Sequence, residues 1–346
     1  MDIIQAFRNQ YRKPQPLPPL LQLPVELLLE ICDRIGAGSP ESTAALAVSC
    51  KTLFSVLSSN NRIPRLRGKH LTTFLSRLER DLGDYLYLCP YCSRLHHFHS
   101  YWGPLSIDLF TGCRSRQPHS AYPYQLGWHH LHLVMNRHRL GDTKGLPLQN
   151  LEGHTSSSGV NLDRRWQHEW TAKIMNNELF LRARHTLSGH DKHELHRAVG
   201  HETLSICHHI RMHSGATTRP ALSFVARRGG LGACRSCLTD YTTKIEGHDA
   251  TSSWWQVIQE GMGQGGNYWT SGGRGRRRDA RRWSITITAY HQVGDGVSPG
   301  DWKWMAFAGR SVEPRFRTWK YPPGSVIERW LEAQGIRDLS IPKPML

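Results

Sequence analysis

Three short apolar segments lie close together near the start of the chain, between residues 23 and 57. Pro24 fits the first turn of a helix, where a missing N–H removes no hydrogen bond, and Gly36 can end that helix. Pro40 opens a second helix in the same way, and a third helix follows. Helices this short cannot bury so much apolar surface among themselves. We therefore expect the rest of the chain, or a partner protein, to cover it.

The same segments resemble the F-box, the module through which substrate receptors bind the adaptor of SCF-type ubiquitin ligases. The likeness is carried by Leu23-Pro24-Val25-Glu26-Leu27, Ile31, Leu46-Ala47 and Cys50-Lys51-Thr52-Leu53. It implies an F-box-like helical module over residues 20–62, with the SCF adaptor and the cullin scaffold as partners. It also implies that seven residues face the adaptor or hold the three helices together, namely Leu23, Pro24, Leu27, Ile31, Leu46, Cys50 and Leu53.

Two Cys-x-x-Cys pairs predict a metal site. Cys89 and Cys92 follow a short strand-like segment, and Cys234 and Cys237 follow a glycine-rich stretch. Two residues between cysteines allow one tight turn to present both thiolates to one ion, and two such turns complete a tetrahedral site. We therefore predict that a structural Zn²⁺ binds Cys89, Cys92, Cys234 and Cys237.

Two alternatives stay open for these cysteines, because a long stretch of chain separates the pairs. The pairs can form two separate thiol turns, or another residue can replace one of the four ligands. The candidates for such a replacement are His96, Cys113, Cys207 and His208. Redox chemistry is disfavoured, since neither pair starts a helix after a strand as thioredoxin-like motifs do.

A second likeness extends beyond the first 62 residues. Several segments, taken in order, are similar to those of a group of fungal F-box domain-containing proteins: Leu78-Glu79-Arg80-Asp81-Leu82-Gly83-Asp84-Tyr85, Leu133-Val134-Met135-Asn136-Arg137-His138, Asn177-Glu178-Leu179-Phe180-Leu181-Arg182, Cys207-His208-His209 and Asp301-Trp302-Lys303-Trp304. The likeness implies a substrate receptor, and it assigns no substrate.

The net charge and the pattern of histidines limit the other functions that the chain can have. Lys and Arg outnumber Asp and Glu by 44 to 28, a net charge of +16, which suits acidic partners or nucleic acid. Six of the arginines lie in residues 274–282, which can form a solvated loop, a nuclear-localisation or acidic-partner patch, or a nucleic-acid contact. The 21 histidines form no His-Glu-x-x-His motif, and no nucleophile elbow is present. We therefore expect no enzymatic activity.

The fold class that we predict is α+β, with an amino-terminal three-helix module followed by a mixed region that has a zinc-stabilised core. We divide the chain into a flexible lead (residues 1–19), the helical module (20–62) and a mixed α+β region (63–346). The predicted elements are helices over residues 71–82, 166–176 and 326–333, strands over 85–89, 241–245 and 283–289, and loops over 154–159 and 261–275.

No apolar run is long enough to span a membrane, and the start of the chain has no secretory signal. We therefore expect a cytoplasmic or nuclear protein whose thiols are reduced. The leading hypothesis is a non-catalytic F-box adaptor that recruits an unknown protein substrate to an SCF-type ubiquitin ligase. The alternative is a zinc-stabilised basic protein that binds nucleic acid and uses the F-box-like helices only for packing.

Overall fold

A computed structural model describes residues 18–106, 124–158, 164–190, 195, 198, 204–211, 230–248, 282–310 and 321–336. Three of the segments discussed above lie outside these ranges: nearly all of the predicted lead, the predicted loop over residues 261–275, and residues 274–281 of the arginine-rich run. The chain divides into two compact units, Met1–His97 and Phe98–Leu346. Helices and antiparallel strands both occur, so the predicted α+β class is confirmed.

The first unit begins with a short 3-10 helix (Pro19–Gln22) and three α-helices, α1 (Val25–Gly38), α2 (Pro40–Ser49) and α3 (Lys51–Ser59). Pro24 directly precedes the first residue of α1, and Pro40 occupies the first position of α2. The three helices share a small core of Cys32, Ala47 and Leu57, against which Leu29, Leu46 and Ile63 pack.

Helix α4 (Gly68–Leu82) completes the first unit together with the hairpin of β1 (Leu86–Cys89) and β2 (Arg94–His97). The predicted helix over residues 71–82 and the strand that ends at Cys89 are both confirmed. His70 Nδ1 on α4 lies 2.7 Å from Glu41 Oε2 on α2. Because α4 and the hairpin belong to this unit, its boundary falls after His97, whereas the sequence division was placed after residue 62.

The second unit is built on a six-stranded antiparallel sheet with the strand order β3-β4-β5-β10-β9-β8. Its strands are β3 (Gly153–Ser158), β4 (Arg165–Met175), β5 (Glu178–Gly189), β8 (Gly230–Ala233), β9 (Thr239–His248) and β10 (Arg282–Gly294). The predicted strands over residues 241–245 and 283–289 lie within β9 and β10. A separate hairpin consists of β6 (Ser205–Cys207) and β7 (Ile210–Arg211).

Two sequence predictions in this unit are wrong. Residues 166–176 were expected to be helical, but they form most of β4. The apolar residues Trp166, Trp170 and Ile174 recur every four positions, a spacing that fits one face of a helix and one face of a strand equally well. Residues 154–159 were expected to be a loop, but most of them belong to edge strand β3, which pairs with β4 through small polar residues.

Three helices pack with this sheet: α5 (Trp128–Leu140), α6 (Trp302–Phe307) and α7 (Ser325–Glu332). The predicted helix over residues 326–333 is thereby confirmed. Val326 and Trp330 of α7 form a buried cluster with Phe180 and Leu238 of the sheet region. The backbone amide of Val326 donates to the buried Asp240 carboxylate at 2.8 Å, which fixes the start of α7 beside β9. Within the described ranges, no helix is both long and apolar enough to cross a bilayer.

Candidate functional site

The seven residues that the F-box likeness assigns differ in exposure. Pro24 and Leu27 lie on the surface, and Leu27 is 46% exposed. Leu53 is buried at 3% exposure, so its role is to hold the helices together. The remaining four are partly buried: Leu23, Ile31, Leu46 and Cys50. The Cys50 sulfur accepts a hydrogen bond from the Leu53 amide at the start of α3.

Large apolar side chains are exposed on these three helices and on the 3-10 helix before them. Half of those in the described part of the chain lie between residues 20 and 54, and they are Leu20, Val25, Leu27, Val48 and Phe54. Phe54 is 50% exposed although its neighbour Leu53 is buried. Exposed apolar side chains concentrated in one part of a chain are a feature of interaction surfaces.

The first candidate metal centre consists of Cys207, His209, Cys234 and Cys237, whose ligand atoms all lie within 4.8 Å of one another. Cys207 ends β6, and His209 lies in the turn that leads into β7. Cys234 and Cys237 lie in the turn between β8 and β9, where the Cys234 amide donates to the Thr239 carbonyl at 2.8 Å. The two hairpins thus bring four donors together around one point.

This donor set fits a tetrahedral ion. With metal–sulfur bonds near 2.3 Å, sulfur ligands of a tetrahedral zinc ion lie about 3.8 Å apart, which is compatible with the spacing found here. The three cysteines are buried and His209 is exposed, so the ion would lie at the edge of the protein interior. Three thiolates and one imidazole leave no position open for substrate or water, which is typical of a structural site.

The three cysteines are within hydrogen-bond reach of one another. Hydrogen bonds from the thiols of Cys207 and Cys237 hold the pKa of Cys234 far below its ordinary value. The pKa of Cys207 is raised to about 12 by its hydrogen bond with Cys234 and by burial. The pKa of Cys237 is also raised, mainly by hydrogen bonds with Cys207 and Cys234. Three thiolates so close together repel one another, and a bound dication would favour the thiolate form at all three.

The second candidate centre consists of Cys89, Cys92 and His96 in the first unit, with ligand atoms again within 4.8 Å of one another. Cys89 ends β1, Cys92 lies in the following turn, and His96 lies on β2. Ser93 adopts a φ of 52° and donates its amide to the Cys89 carbonyl at 2.9 Å, which closes the turn. Cys92 Sγ lies 2.9 Å from His96 Nε2.

All four predicted cysteines thus lie in candidate centres, but with additional ligands that differ between the pairs. The structure groups Cys234 and Cys237 with Cys207 and His209, and it groups Cys89 and Cys92 with His96. The described residues thus offer two sets of donors for metal, one in each unit, and the sharing of one ion by both pairs stays a prediction. The physical reason for two sets is that a neighbouring hairpin strand or turn supplies each pair with donors within its own unit.

The replacement ligands were only partly visible in the sequence. His96 and Cys207 were named as possible substitutes, whereas His209 was missed in favour of its neighbour His208. The sequence places both rings beside Cys207, and the turn between β6 and β7 brings His209 to the other three donors. Cys113, the remaining candidate, lies outside the described residues.

Three further histidines lie on one face of the six-stranded sheet, where His185 and His291 are buried and His168 is partly buried. His168 on β4 pairs directly with His185 on β5, and their Nδ1 atoms lie 2.7 Å apart. Burial, reinforced by the neighbouring histidines, lowers the pKa of His185 to about 3, and burial lowers the pKa of His291 to about 4. These side chains are therefore neutral at physiological pH.

Comparison with protein-family models, with curated proteins and with solved structures found no match to this chain. A functional assignment must therefore rest on the chemistry of the residues themselves. Two features provide that chemistry: the exposed apolar surface of the first three helices, and the two cysteine–histidine centres.

Proposed function

We propose that this chain is a non-catalytic F-box adaptor. Residues 20–62 bind the adaptor subunit of an SCF-type ubiquitin ligase, and the rest of the chain presents a protein substrate for ubiquitin transfer by other subunits. The observation that carries the proposal is the concentration of exposed large apolar side chains on α1, α2 and α3.

The arrangement on α1 supports a division of roles between neighbouring leucines. Leu28 is buried at 4% exposure, so it serves the interior of the helical unit. Leu27 and Val25 are exposed on the same helix and are available to a partner. Burying such side chains at an interface removes apolar area from water, which supplies the driving force for association.

The proposal is tested by binding of the purified adaptor subunit to full-length protein carrying Leu27→Ala. Because Leu27 is exposed, the substitution should leave thermal unfolding nearly unchanged. If Leu27 is an interface hot spot, its truncation should cost about 2–4 kcal/mol of binding free energy. Isothermal titration calorimetry measures this loss directly.

Leu140→Ala is the matched control, since Leu140 is a 38% exposed leucine on α5, outside the helical module. It should bind the adaptor as tightly as the wild type. The proposal is wrong if the wild type does not bind, or if Leu27→Ala binds equally well. Salt-sensitive retention of nucleic acid in the absence of adaptor binding would instead favour the basic, nucleic-acid-binding alternative, for which the net charge of +16 is the supporting observation.

We further infer that the ion at the two cysteine–histidine centres is zinc. Thiolate and imidazole are donors that zinc prefers, and a closed set of three sulfurs and one nitrogen favours it over harder cations. Zinc at Cys207, His209, Cys234 and Cys237 would join the β6–β7 hairpin to the β8–β9 turn. Its role there is structural, and it supports the region that the proposal assigns to substrate presentation.

A further inference from the structure

A chain of hydrogen bonds leads from the metal centre into the sheet. Thr239 Oγ1 lies 3.1 Å from Cys237 Sγ and 2.9 Å from His291 Nδ1. Thr239 begins β9, and His291 is its direct partner on β10. Thr239 is 0% exposed and His291 is 6% exposed, so both contacts are shielded from water.

The chemistry of a metal-bound cysteine fixes the direction of these bonds. Cys237 as a thiolate ligand can only accept a hydrogen bond, so the Thr239 hydroxyl must donate to it. That hydroxyl has a single proton, and its oxygen must therefore accept from His291. His291 consequently carries its proton on Nδ1. In the resulting chain of hydrogen bonds, His291 Nδ1–H donates to Thr239 Oγ1, and the Thr239 hydroxyl donates to the Cys237 sulfur.

We propose that Thr239 is a positioning residue of the metal centre, and that His291 orients its hydroxyl towards the Cys237 thiolate. The hydrogen bond withdraws electron density from one sulfur and limits its rotation. Outer-shell partners of this kind orient metal ligands and tune the ion. The inference rests on metal binding by the Cys207–His209–Cys234–Cys237 centre and is independent of adaptor binding by residues 20–62.

The backbone around Thr239 explains why this residue is suited to the role. Its amide donates to the Cys237 carbonyl at 2.9 Å, and its carbonyl accepts from the Cys234 amide at 2.8 Å. Thr239 is therefore fixed to both cysteines of the turn through its main chain. Its side-chain oxygen therefore extends from a fixed backbone position to Cys237 Sγ and His291 Nδ1.

The test uses cobalt in place of zinc, because thiolate-to-cobalt charge-transfer bands report the electron density on the sulfur ligands. Full-length wild type, Thr239→Val and Thr239→Ser are loaded with Co²⁺, and their absorption spectra are compared. Thr239→Val keeps the shape and removes the hydroxyl, so its charge-transfer bands should move to longer wavelength. Zinc affinity, measured by competition with a chelator, should fall by about 10–100-fold.

Thr239→Ser retains the hydroxyl and should restore both the spectrum and the affinity. The difference spectrum between variants removes any constant contribution from the Cys89–Cys92–His96 centre. Unchanged bands and affinity in Thr239→Val would overturn the proposal, as would a wild type that binds no cobalt. Adaptor binding is a separate measurement, so failure of this inference and failure of the adaptor function remain distinguishable.

A second measurement does not depend on the folding of a variant. Nitrogen-15 NMR of the zinc-loaded wild type reports the tautomer of each neutral histidine. His291 should carry its proton on Nδ1, with Nε2 unprotonated. The opposite tautomer would overturn the proposed direction of the hydrogen bonds, because His291 could then only accept from Thr239.

Discussion

At the scale of single residues, Glu79 shows how one side chain can support a metal-binding hairpin. It lies on α4, is 6% exposed, and accepts a hydrogen bond from the Leu88 amide at 2.8 Å. Leu88 directly precedes the candidate ligand Cys89. The Glu79 carboxylate therefore holds β1, the strand that carries Cys89, against α4.

We expect Glu79→Ala to destabilise the first unit by about 1–3 kcal/mol, because the buried Leu88 amide loses its partner. Urea-induced unfolding followed by circular dichroism measures this loss. Retention of metal by the Cys89–Cys92–His96 centre should fall in parallel, since the hairpin is no longer held against α4.

Glu79→Gln is the matched control, because a glutamine side-chain oxygen can still accept from Leu88. It should recover most of the stability and of the metal retention. Equal stability of Glu79→Ala and wild type would show that the hydrogen bond contributes nothing.

At the scale of the elements, a helix or strand could be predicted where the spacing of its apolar residues fits only one kind of secondary structure. In β10, Ile285, Ile287 and Ala289 alternate with polar residues and are all fully buried, so the strand was evident from the sequence. In β4 the spacing of the apolar residues fits both a helix and a strand. The turn after β4 decides between them, because Asn176 and Asn177 both have positive φ, as a type I′ two-residue hairpin turn requires.

The candidate metal centres were predictable in the same partial way. A Cys-x-x-Cys turn is a local feature, so Cys234 and Cys237 could be recognised from their spacing alone. The partners of a turn are non-local, and they depend on which hairpin lies beside it. Spacing does not distinguish His208 from His209, because only the path of the chain through the β6–β7 turn decides which ring faces the sulfurs.

The β6–β7 hairpin provides an element-scale prediction. It is a two-stranded sheet of its own, and metal ligation at Cys207 and His209 would tie it to the β8–β9 turn. Removal of the ion by a strong chelator should therefore release the hairpin, since short isolated hairpins are marginally stable in water. Amide hydrogen exchange at Cys207 and Ile210 should accelerate by about tenfold or more.

Elemental analysis before and after chelation shows whether zinc was present and has been removed. Exchange in the central pair of β4 and β5 serves as the internal reference and should change little. A Cys207→Ser variant should exchange as the chelated wild type does. Unaltered exchange after complete loss of zinc would contradict a structural role of this centre.

At the scale of the whole molecule, the two compact units each contain a cysteine–histidine centre. Among the residues that the structure describes, the exposed apolar side chains of α1–α3 belong to the first unit and the buried histidines of the sheet belong to the second. The proposed partner binding through α1–α3 and the expected pH response of the sheet thus belong to different parts of the chain. Each can be measured by a substitution that leaves the other unchanged.

Acid should destabilise the second unit through His185. Burial is the main reason that its folded-state pKa lies near 3, below the value of about 6.5 in an unfolded chain. Between these values the unfolded chain binds a proton that the folded protein does not, so stability is full above pH 6.5 and decreases as the pH falls. From pH 6.5 to pH 5 the expected loss is about 2 kcal/mol, at about 1.4 kcal/mol per pH unit.

Urea unfolding at a series of pH values between 7 and 5 measures this dependence, and His185→Gln isolates its source. Glutamine cannot titrate, so the variant should lose stability less steeply over the same interval, although its stability at pH 7 will be lower because the contact with His168 is altered. His168 and His291 remain in the variant and retain their own acid responses, since their pKa values are also lowered by burial. If His185→Gln shows the full acid dependence of the wild type, the proton uptake must occur elsewhere, and the neutral buried pair on β4 and β5 would not be its origin.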